Sequence, residues 1–186
     1  MDGFGYKTGW LAIRDGDADA VLAELGGEAI GPIGWREGIR HAYDREDGLL
    51  VTPPLAGWLL VAGWWIAAHH EMLDTAELSR TLGREVQLFV THRVAELHRW
   101  ERAVDGSVVR SFEYIGEKGE VTRWVGELQD VERAIGLPET INDDVDVIVD
   151  ERDVMRVAAA WSVDPTSLEG QPAPGPLTAA RRRRPG

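Results

Sequence analysis

Residues 84–127, REVQLFVTHRVAELHRWERAVDGSVVRSFEYIGEKGEVTRWVGE, decide the fold of this chain. Asp105-Gly106 lies between two segments rich in Val, Phe, Tyr and Trp, and this pair favours a two-residue type I′ turn with positive φ. Lys118-Gly119 predicts a further turn, into the segment EVTRWVG. We therefore expect consecutive antiparallel strands joined by tight turns.

A two-residue turn also predicts the register of the hairpin. It places Glu101 opposite Arg110, a favourable pair of opposite charges, and His98 opposite Glu113. Because side chains alternate along a strand, five polar or aromatic residues are expected to share one face. They are His92, Glu96, His98, Trp100 and Glu113.

A helix is the alternative for residues 91–103. This segment is rich in Arg, Glu, Leu and Ala, and it carries Val94, Leu97, Glu101 and Val104 at helical spacing. The turn chemistry and the charge pairing favour strands.

The rest of the chain predicts further strands and covering helices. Apolar segments typical of strands cover residues 7–14, 49–52 and 58–65. Helices are expected from Asp17 to Gly26 and from Asp74 to Gly83, where Asp can cap the start and Gly the end, and over residues 34–43 and 151–161. The sequence thus indicates a single α+β domain over residues 1–163. We expect a mainly antiparallel sheet of about six to seven strands with helices on one side.

A weak internal repeat favours two similar halves. Leu25-Gly26 matches Leu82-Gly83, and Asp47-Gly48 matches Asp105-Gly106 at nearly the same offset. Duplication and chance both explain these matches.

Residues 164–186 differ in composition from the rest of the chain. Pro, Gly and Ala dominate, and the last residues are RRRRPG. Such a segment lacks the apolar residues that build a core, so we expect a disordered tail.

The composition indicates an acidic cytoplasmic protein. The 186 residues include 32 acidic and 20 basic ones, and the formal net charge is −12. An acidic body repels phosphate backbones and anionic membrane surfaces and attracts basic proteins, although a charged surface also serves solubility alone. The chain starts without a signal-peptide pattern, and its longest apolar run, residues 55–68, is too short to cross a membrane. We therefore expect a basic protein partner rather than a membrane or a nucleic acid.

The sequence lacks the standard catalytic motifs. Without any Cys it has no thiol nucleophile, disulfide or thiolate metal site. His70-Glu71 begins a pattern close to H-E-x-x-H, but Asp74 takes the place of the second His. We predict no metal site and no cofactor.

One combination of residue types could support acid–base chemistry. A small hydrolase or isomerase could use His98 with Glu96 or Glu113, and with His92 nearby, because a carboxylate raises the pKa of an imidazole. A His that binds a carboxylate for structural reasons is the alternative.

The eight Trp residues and the negative charge favour a non-enzymatic function. Trp is enriched at the hot spots of protein interfaces. We predict a protein-binding protein, in its concrete version an immunity- or antitoxin-like inhibitor of a basic partner. The expected partner-binding residues are Glu96, Trp100, Glu113, Trp124, Asp143, Asp144 and Asp146. A small-ligand pocket lined by Trp64, Trp100 or Trp124 is a third possibility.

Two segments resemble those of bacterial proteins. THRVAELHRW (residues 91–100) and DVMRVAAAWSVDP (residues 153–165), together with the Asp-Gly hairpin, look like proteins of high-GC bacteria. The resemblance implies a bacterial protein and carries no activity with it.

Overall fold

A computed structural model describes residues 1–93, 96–141 and 147–183 of the chain. These residues form nine β-strands and six α-helices, and the strands belong to one sheet. The predicted α+β class and the antiparallel sheet are confirmed, and the sheet has more strands than the six to seven expected.

The strands lie side by side in the order β2-β9-β3-β4-β1-β5-β6-β7-β8, and each neighbouring pair is antiparallel. Their bounds are β1 Gly9–Arg14, β2 Gly27–Ile33, β3 Gly48–Val51, β4 Trp58–Gly63, β5 Val86–His92, β6 Leu97–Val104, β7 Ser107–Ile115, β8 Glu120–Val125 and β9 Leu177–Arg182. The helices are α1 Ala18–Glu24, α2 Trp35–Asp44, α3 Trp64–Ala68, α4 Thr75–Leu82, α5 Asp130–Ala134 and α6 Glu151–Trp161. Short 3-10 helices cover His70–Met72 and Pro165–Leu168.

The predicted helix caps are confirmed. Asp17 Oδ1 accepts a hydrogen bond from the Ala20 N–H at 2.9 Å, and Asp74 Oδ1 accepts one from the Glu77 N–H at 2.9 Å. Each carboxylate satisfies a backbone donor that the first helical turn leaves free.

Helices cover both faces of the sheet, so the expectation of helices on one side is wrong. On one face, α2, α5 and α6 pack over a core that includes Trp10, Leu60 and Phe89. On the other face, α1, α3 and α4 pack over a core that includes Leu11 and Val61. Successive residues of the central strands β1 and β4 are therefore buried, except Arg14 at the end of β1, which explains why these strands are continuously apolar rather than alternating.

The end of the chain belongs to the sheet, and the expected disordered tail at residues 164–186 is wrong for the part that the structure describes. Strand β9 lies between β2 and β3 and pairs with both. Leu177 and Ala180 are fully buried there. The Pro- and Gly-rich residues 171–176 form only the loop that leads into this strand. Without β9 the facing backbone groups of β2 and β3 would have no partners, which is the physical reason for its order.

The hairpin turn is confirmed, and the register predicted beyond it is wrong. Val104 pairs with Ser107 across Asp105-Gly106, whose φ angles are 49° and 76°. A β-bulge follows, in which Val109 is the extra residue, because Ala103 pairs with Val108 while Arg102 pairs with Arg110.

The bulge shifts every later pair by one residue. Arg99 faces Glu113 and His98 faces Tyr114, instead of the expected His98–Glu113 pair, and Glu101 faces Ser111 rather than Arg110. Since side chains alternate, this shift places His98 and Glu113 on opposite faces of the sheet. The helical alternative for residues 91–103 is also wrong, because residues 97–103 lie within strand β6.

The two Asp-Gly pairs have different surroundings. Asp105-Gly106 joins two neighbouring strands, whereas Asp47-Gly48 follows helix α2 and leads into β3, which lies between β9 and β4. The structure does not repeat itself at these positions.

Candidate functional site

The five residues expected on one face divide between the two faces. His98 and Trp100 lie on the face covered by α6, whereas Glu113 lies on the face covered by α4. The His92 ring lies 5.3 Å from the ring of Trp64, a residue of α3, and is therefore also on the second face. The predicted constellation is thus not assembled.

A polar network is buried beneath α4 where the strands β6, β7 and β8 meet. Its centre is Glu101, whose carboxylate accepts hydrogen bonds from the Thr75 hydroxyl at 2.6 Å, Arg99 Nη2 at 3.0 Å and the Ser111 hydroxyl at 2.7 Å. The Arg123 guanidinium lies 2.9 Å from the same carboxylate. A buried charge is tolerated when it is paired and hydrogen-bonded to this extent.

Glu113 joins this network and contacts His70, which the sequence singled out only through its near-match to an H-E-x-x-H motif. Arg99 Nη1 donates to Glu113 at 3.2 Å, and the Thr122 hydroxyl donates to it at 2.7 Å. His70 Nε2 lies 3.3 Å from Glu113 Oε2, while its Nδ1 lies 2.8 Å from the Ala67 carbonyl oxygen. The His–carboxylate pair therefore forms with His70 and not with His98.

The pKa values of this pair move apart. Burial raises the pKa of the Glu113 carboxyl, but the hydrogen bonds with His70 and Thr122 and the charge of Arg99 outweigh it and lower that pKa to about 2. Burial lowers the pKa of His70, but contacts with Glu113 and the Ala67 carbonyl outweigh it and raise the pKa of the imidazole. The pair is therefore an ion pair at mildly acidic pH.

The network suits a structural role better than proton transfer. A cavity of about 590 Å³ adjoins it and is lined by Arg99, Glu101, Glu113 and Arg123 among others. A carboxylate with a pKa of about 2 is a weak general base near neutrality, since the best proton acceptors have a pKa near the working pH. The hydrogen bonds instead attach α4 and the turn at His70 to the strands.

His98 lies on the other face, beside a second cavity of about 780 Å³. This cavity is lined by Tyr6, Lys7, Arg93, Glu96, His98, Tyr114, Ile148, Val149, Asp150, Glu151 and Arg152. Burial lowers the pKa of His98, although the charges of Asp150, Glu96 and Asp153 oppose this effect. Of the predicted pairings, His98 and Glu96 therefore share a cavity, and Glu113 is on the other side of the sheet.

The expected docking surface around Trp100 and Trp124 is not exposed. Trp100 is fully buried, stacks on Phe112 at 4.4 Å between centroids and donates its Nε1–H to Glu132 at 2.6 Å. Trp124 is half-buried beneath the Arg110 guanidinium. Trp100 is therefore inaccessible to a partner, whereas Trp124 keeps part of its ring exposed.

The other predicted binding residues have varied positions. Glu96 is exposed, and Glu113 is buried in the network described above. Asp143, Asp144 and Asp146 lie outside the described residues.

An aromatic cleft that the sequence indicated only through Trp64 lies at the surface near α3. It has a volume of about 580 Å³ and is lined by Glu46, Asp47, Trp64, Trp65, Ala68, His69, Met72, Arg182 and Arg183. Met72 has 77% of its surface exposed, an unusual state for a large apolar residue. Trp64 and Trp65 are half-buried. Glu46, Asp47, Arg182 and Arg183 come from chain segments distant from α3, so no local pattern could have assigned them to this cleft.

Two further findings concern the described part of the chain as a whole. No group of three or more His, Asp or Glu side chains in residues 1–93, 96–141 and 147–183 is arranged to hold a metal ion. No helix within the same ranges has both the length and the apolar character needed to cross a membrane.

No protein-family model, curated protein or solved structure matches this chain.

Proposed function

We propose that this protein is a non-enzymatic acidic protein that binds a basic protein partner, in the manner of an immunity- or antitoxin-like inhibitor. The observation that carries the proposal is the aromatic cleft, in which exposed Met72 and half-buried Trp64 lie beside the carboxylates of Glu46 and Asp47.

The charge of the protein supports attraction of a basic partner. The net charge is −12, and many exposed carboxylates form no ion pair with the described residues. They are Asp15, Asp19, Glu24, Glu37, Asp44, Glu46, Glu117, Glu120 and Glu127. Unpaired charges of one sign raise the rate at which an oppositely charged protein associates, and this effect weakens as salt is added.

The cleft supports anchoring once the partner has arrived. Trp and Met are enriched at interface cores, and Met adapts its shape to different side chains. Hot-spot residues lie in pockets that exclude water, with polar residues at the rim. Trp64 and Met72 would supply such a pocket, and its polar rim would combine Glu46 and Asp47 with Arg182 and Arg183, so attraction of a basic partner would come from the charge of the whole protein rather than from the cleft.

The enzymatic hypothesis has less support from the geometry. Glu113 lies on the opposite face from His98, and the Glu113 pKa of about 2 disfavours proton abstraction at neutral pH. The third hypothesis, a small-ligand pocket lined by Trp, loses Trp100, which is fully buried, and keeps Trp64, which lines the aromatic cleft, and the half-buried Trp124.

The test is affinity capture from a lysate of the native host with three forms of the protein as bait. The wild type is expected to retain one dominant basic protein at low salt and to lose it at high salt. Met72→Glu places a charge in the cleft and should weaken retention at least about tenfold, since it desolvates a carboxylate in the anchor pocket.

Ile30→Glu is the matched control, because Ile30 is also an exposed apolar residue but belongs to β2 and does not line the cleft. This variant should retain the partner as the wild type does. Recovery of the bait alone at both salt concentrations would count against the binding function. Equal retention by Met72→Glu and the wild type would count against the cleft.

A further inference from the structure

Two residues that line the cavity beside His98 carry polar atoms without a hydrogen-bonding partner among the described residues. His98 is only 5% exposed, and its Nδ1 is buried without a hydrogen-bonding partner among the described residues. Glu151, at the start of α6, also lines the cavity, and its Oε2 is buried without such a partner in the described ranges. Nearly all buried polar atoms in folded proteins have partners, and two of the ten such atoms without a described partner belong to residues that line this one cavity, where a bound molecule could supply the missing hydrogen bonds.

The side chains that line the cavity carry equal numbers of positive and negative charges, so the lining does not favour a ligand of either sign. Its cations are Lys7, Arg93 and Arg152, and its carboxylates are Glu96, Asp150 and Glu151. Arg93 Nε lies 3.3 Å from Glu151 Oε1, so one pair is already neutralised. Equal numbers of positive and negative groups favour an uncharged molecule over an ion.

The orphaned atoms require a ligand that both donates and accepts hydrogen bonds. A carboxylate oxygen only accepts, so Glu151 Oε2 needs a donor. Because burial lowers the pKa of His98, its imidazole is neutral near pH 7 and offers one N–H and one lone pair. Hydroxyl groups serve both atoms, since each hydroxyl is a donor and an acceptor.

An aromatic ring lies at the same cavity. Tyr6 is 44% exposed, so its ring is accessible to a bound molecule, and the largely buried Tyr114 also lines the cavity. Such a ring offers an apolar surface on which the C–H face of a sugar can pack. The volume of about 780 Å³ lies within the range usual for small-molecule sites.

The backbone beside this cavity is strained at two non-glycine positions. Lys7 and Glu96, which both line it, have φ angles of 54° and 47°. Left-handed conformations cost free energy for residues with a Cβ, and they concentrate at ligand sites.

We propose that this cavity binds a small uncharged polyhydroxylated molecule of the size of a sugar, with His98 and Glu151 as the hydrogen-bonding groups and Tyr6 as the stacking surface. The site lies on the face covered by α6, whereas the aromatic cleft near α3 lies on the other face. The proposal is therefore independent of the protein-binding function.

Saturation-transfer NMR with glucose, galactose, mannose and N-acetylglucosamine as probes tests the site. At least one probe should receive saturation from the wild type, and both His98→Phe and Tyr6→Ala should reduce the signal at least about fivefold. Ile30→Glu, at an exposed residue of β2 that does not line this cavity, should leave the signal unchanged.

Two results would overturn the proposal. One is the absence of saturation transfer to all four sugars from folded wild-type protein. The other is an undiminished signal in Tyr6→Ala, whose exposed position makes it compatible with folding even if His98→Phe is not.

Discussion

Arg110 Nε donates hydrogen bonds to Glu132 at 2.8 Å from Oε1 and 2.9 Å from Oε2, and neither side chain is exposed to solvent. The Trp100 Nε1–H donates to the same carboxylate, and the Arg110 guanidinium lies 4.3 Å from the centre of the Trp124 ring. This buried ion pair attaches α5 to the strands β6, β7 and β8. It also explains why Trp100, which the sequence suggested as a surface residue, is fully buried and why Trp124 is half-buried.

Glu132→Gln should destabilise the protein strongly. Removal of the carboxylate leaves the buried Arg110 charge without compensation, which costs about 3–5 kcal/mol of unfolding free energy. Urea denaturation measures the loss. Glu139→Gln is the control, because Glu139 pairs with Arg133 at 2.8 Å on the surface, where solvent screens the interaction. Equal denaturation midpoints for the two variants would show that the Arg110–Glu132 pair does not stabilise the fold.

The sequence predicted the local features of this fold and missed those that depend on distant partners. The Asp17 and Asp74 caps and the turn at Asp105-Gly106 use signals within four residues, and all three form as expected. The bulge at Val109 has no such signal. It turns Arg110 towards Glu132, a residue of helix α5, which follows in the chain only after strand β8.

Two further predictions were wrong for the same reason, because they depend on partners that are distant in sequence. Strand β9 has a weak strand sequence, and its order comes from β2 and β3, which are far away in the chain. His70 and Glu113 are also distant in sequence, and the register shift at Val109 brings Glu113 to the face of His70. An error of one residue in register therefore changed the predicted site completely.

Ala180→Asp should unfold or strongly destabilise the protein. Ala180 in β9 is fully buried between β2 and β3, so an aspartate there would be an uncompensated buried charge that costs on the order of 3–5 kcal/mol. Arg181→Asp introduces an aspartate at the neighbouring position, which is exposed. It should therefore change the stability only slightly. Thermal unfolding followed by circular dichroism compares the two. Equal melting temperatures would mean that this part of the chain is not an internal strand.

The His70–Glu113 pair should stabilise the protein within a limited pH window. The pKa of Glu113 falls from 4.5 to about 2 on folding, so its contribution is present above pH 4.5 and is lost as the pH falls towards 2. The pKa of His70 is raised above 6.5, so its contribution is present below pH 6.5 and is lost as the pH rises through the folded value. The pair therefore contributes most between about pH 4.5 and 6.5.

NMR titration of the His70 ring in Glu113→Gln checks the origin of this window. The pKa of His70 should fall, because Glu113 supplies both a contact at 3.3 Å and an opposite charge, while Arg99 and the Ala67 carbonyl remain. The difference in unfolding free energy between wild type and variant should shrink outside the window. An unchanged His70 pKa would indicate that Glu113 is not its partner.

Gly126→Ala should destabilise the protein more than Gly119→Ala does. Gly126 has a φ of 77°, and a Cβ at this position would lie 2.1 Å from the carbonyl oxygen of Val109, the extra residue of the bulge. Gly119 has a φ of 64° but lies in the turn before β8, where a Cβ meets no described atom within 4 Å. Gly119→Ala should therefore cost only the left-handed conformation, about 1–2 kcal/mol. Gly126→Ala should cost at least about 2 kcal/mol more, because the backbone at the bulge must move as well. Urea denaturation of both variants measures the difference, and equal losses would mean that β8 does not approach the bulge closely enough to require glycine.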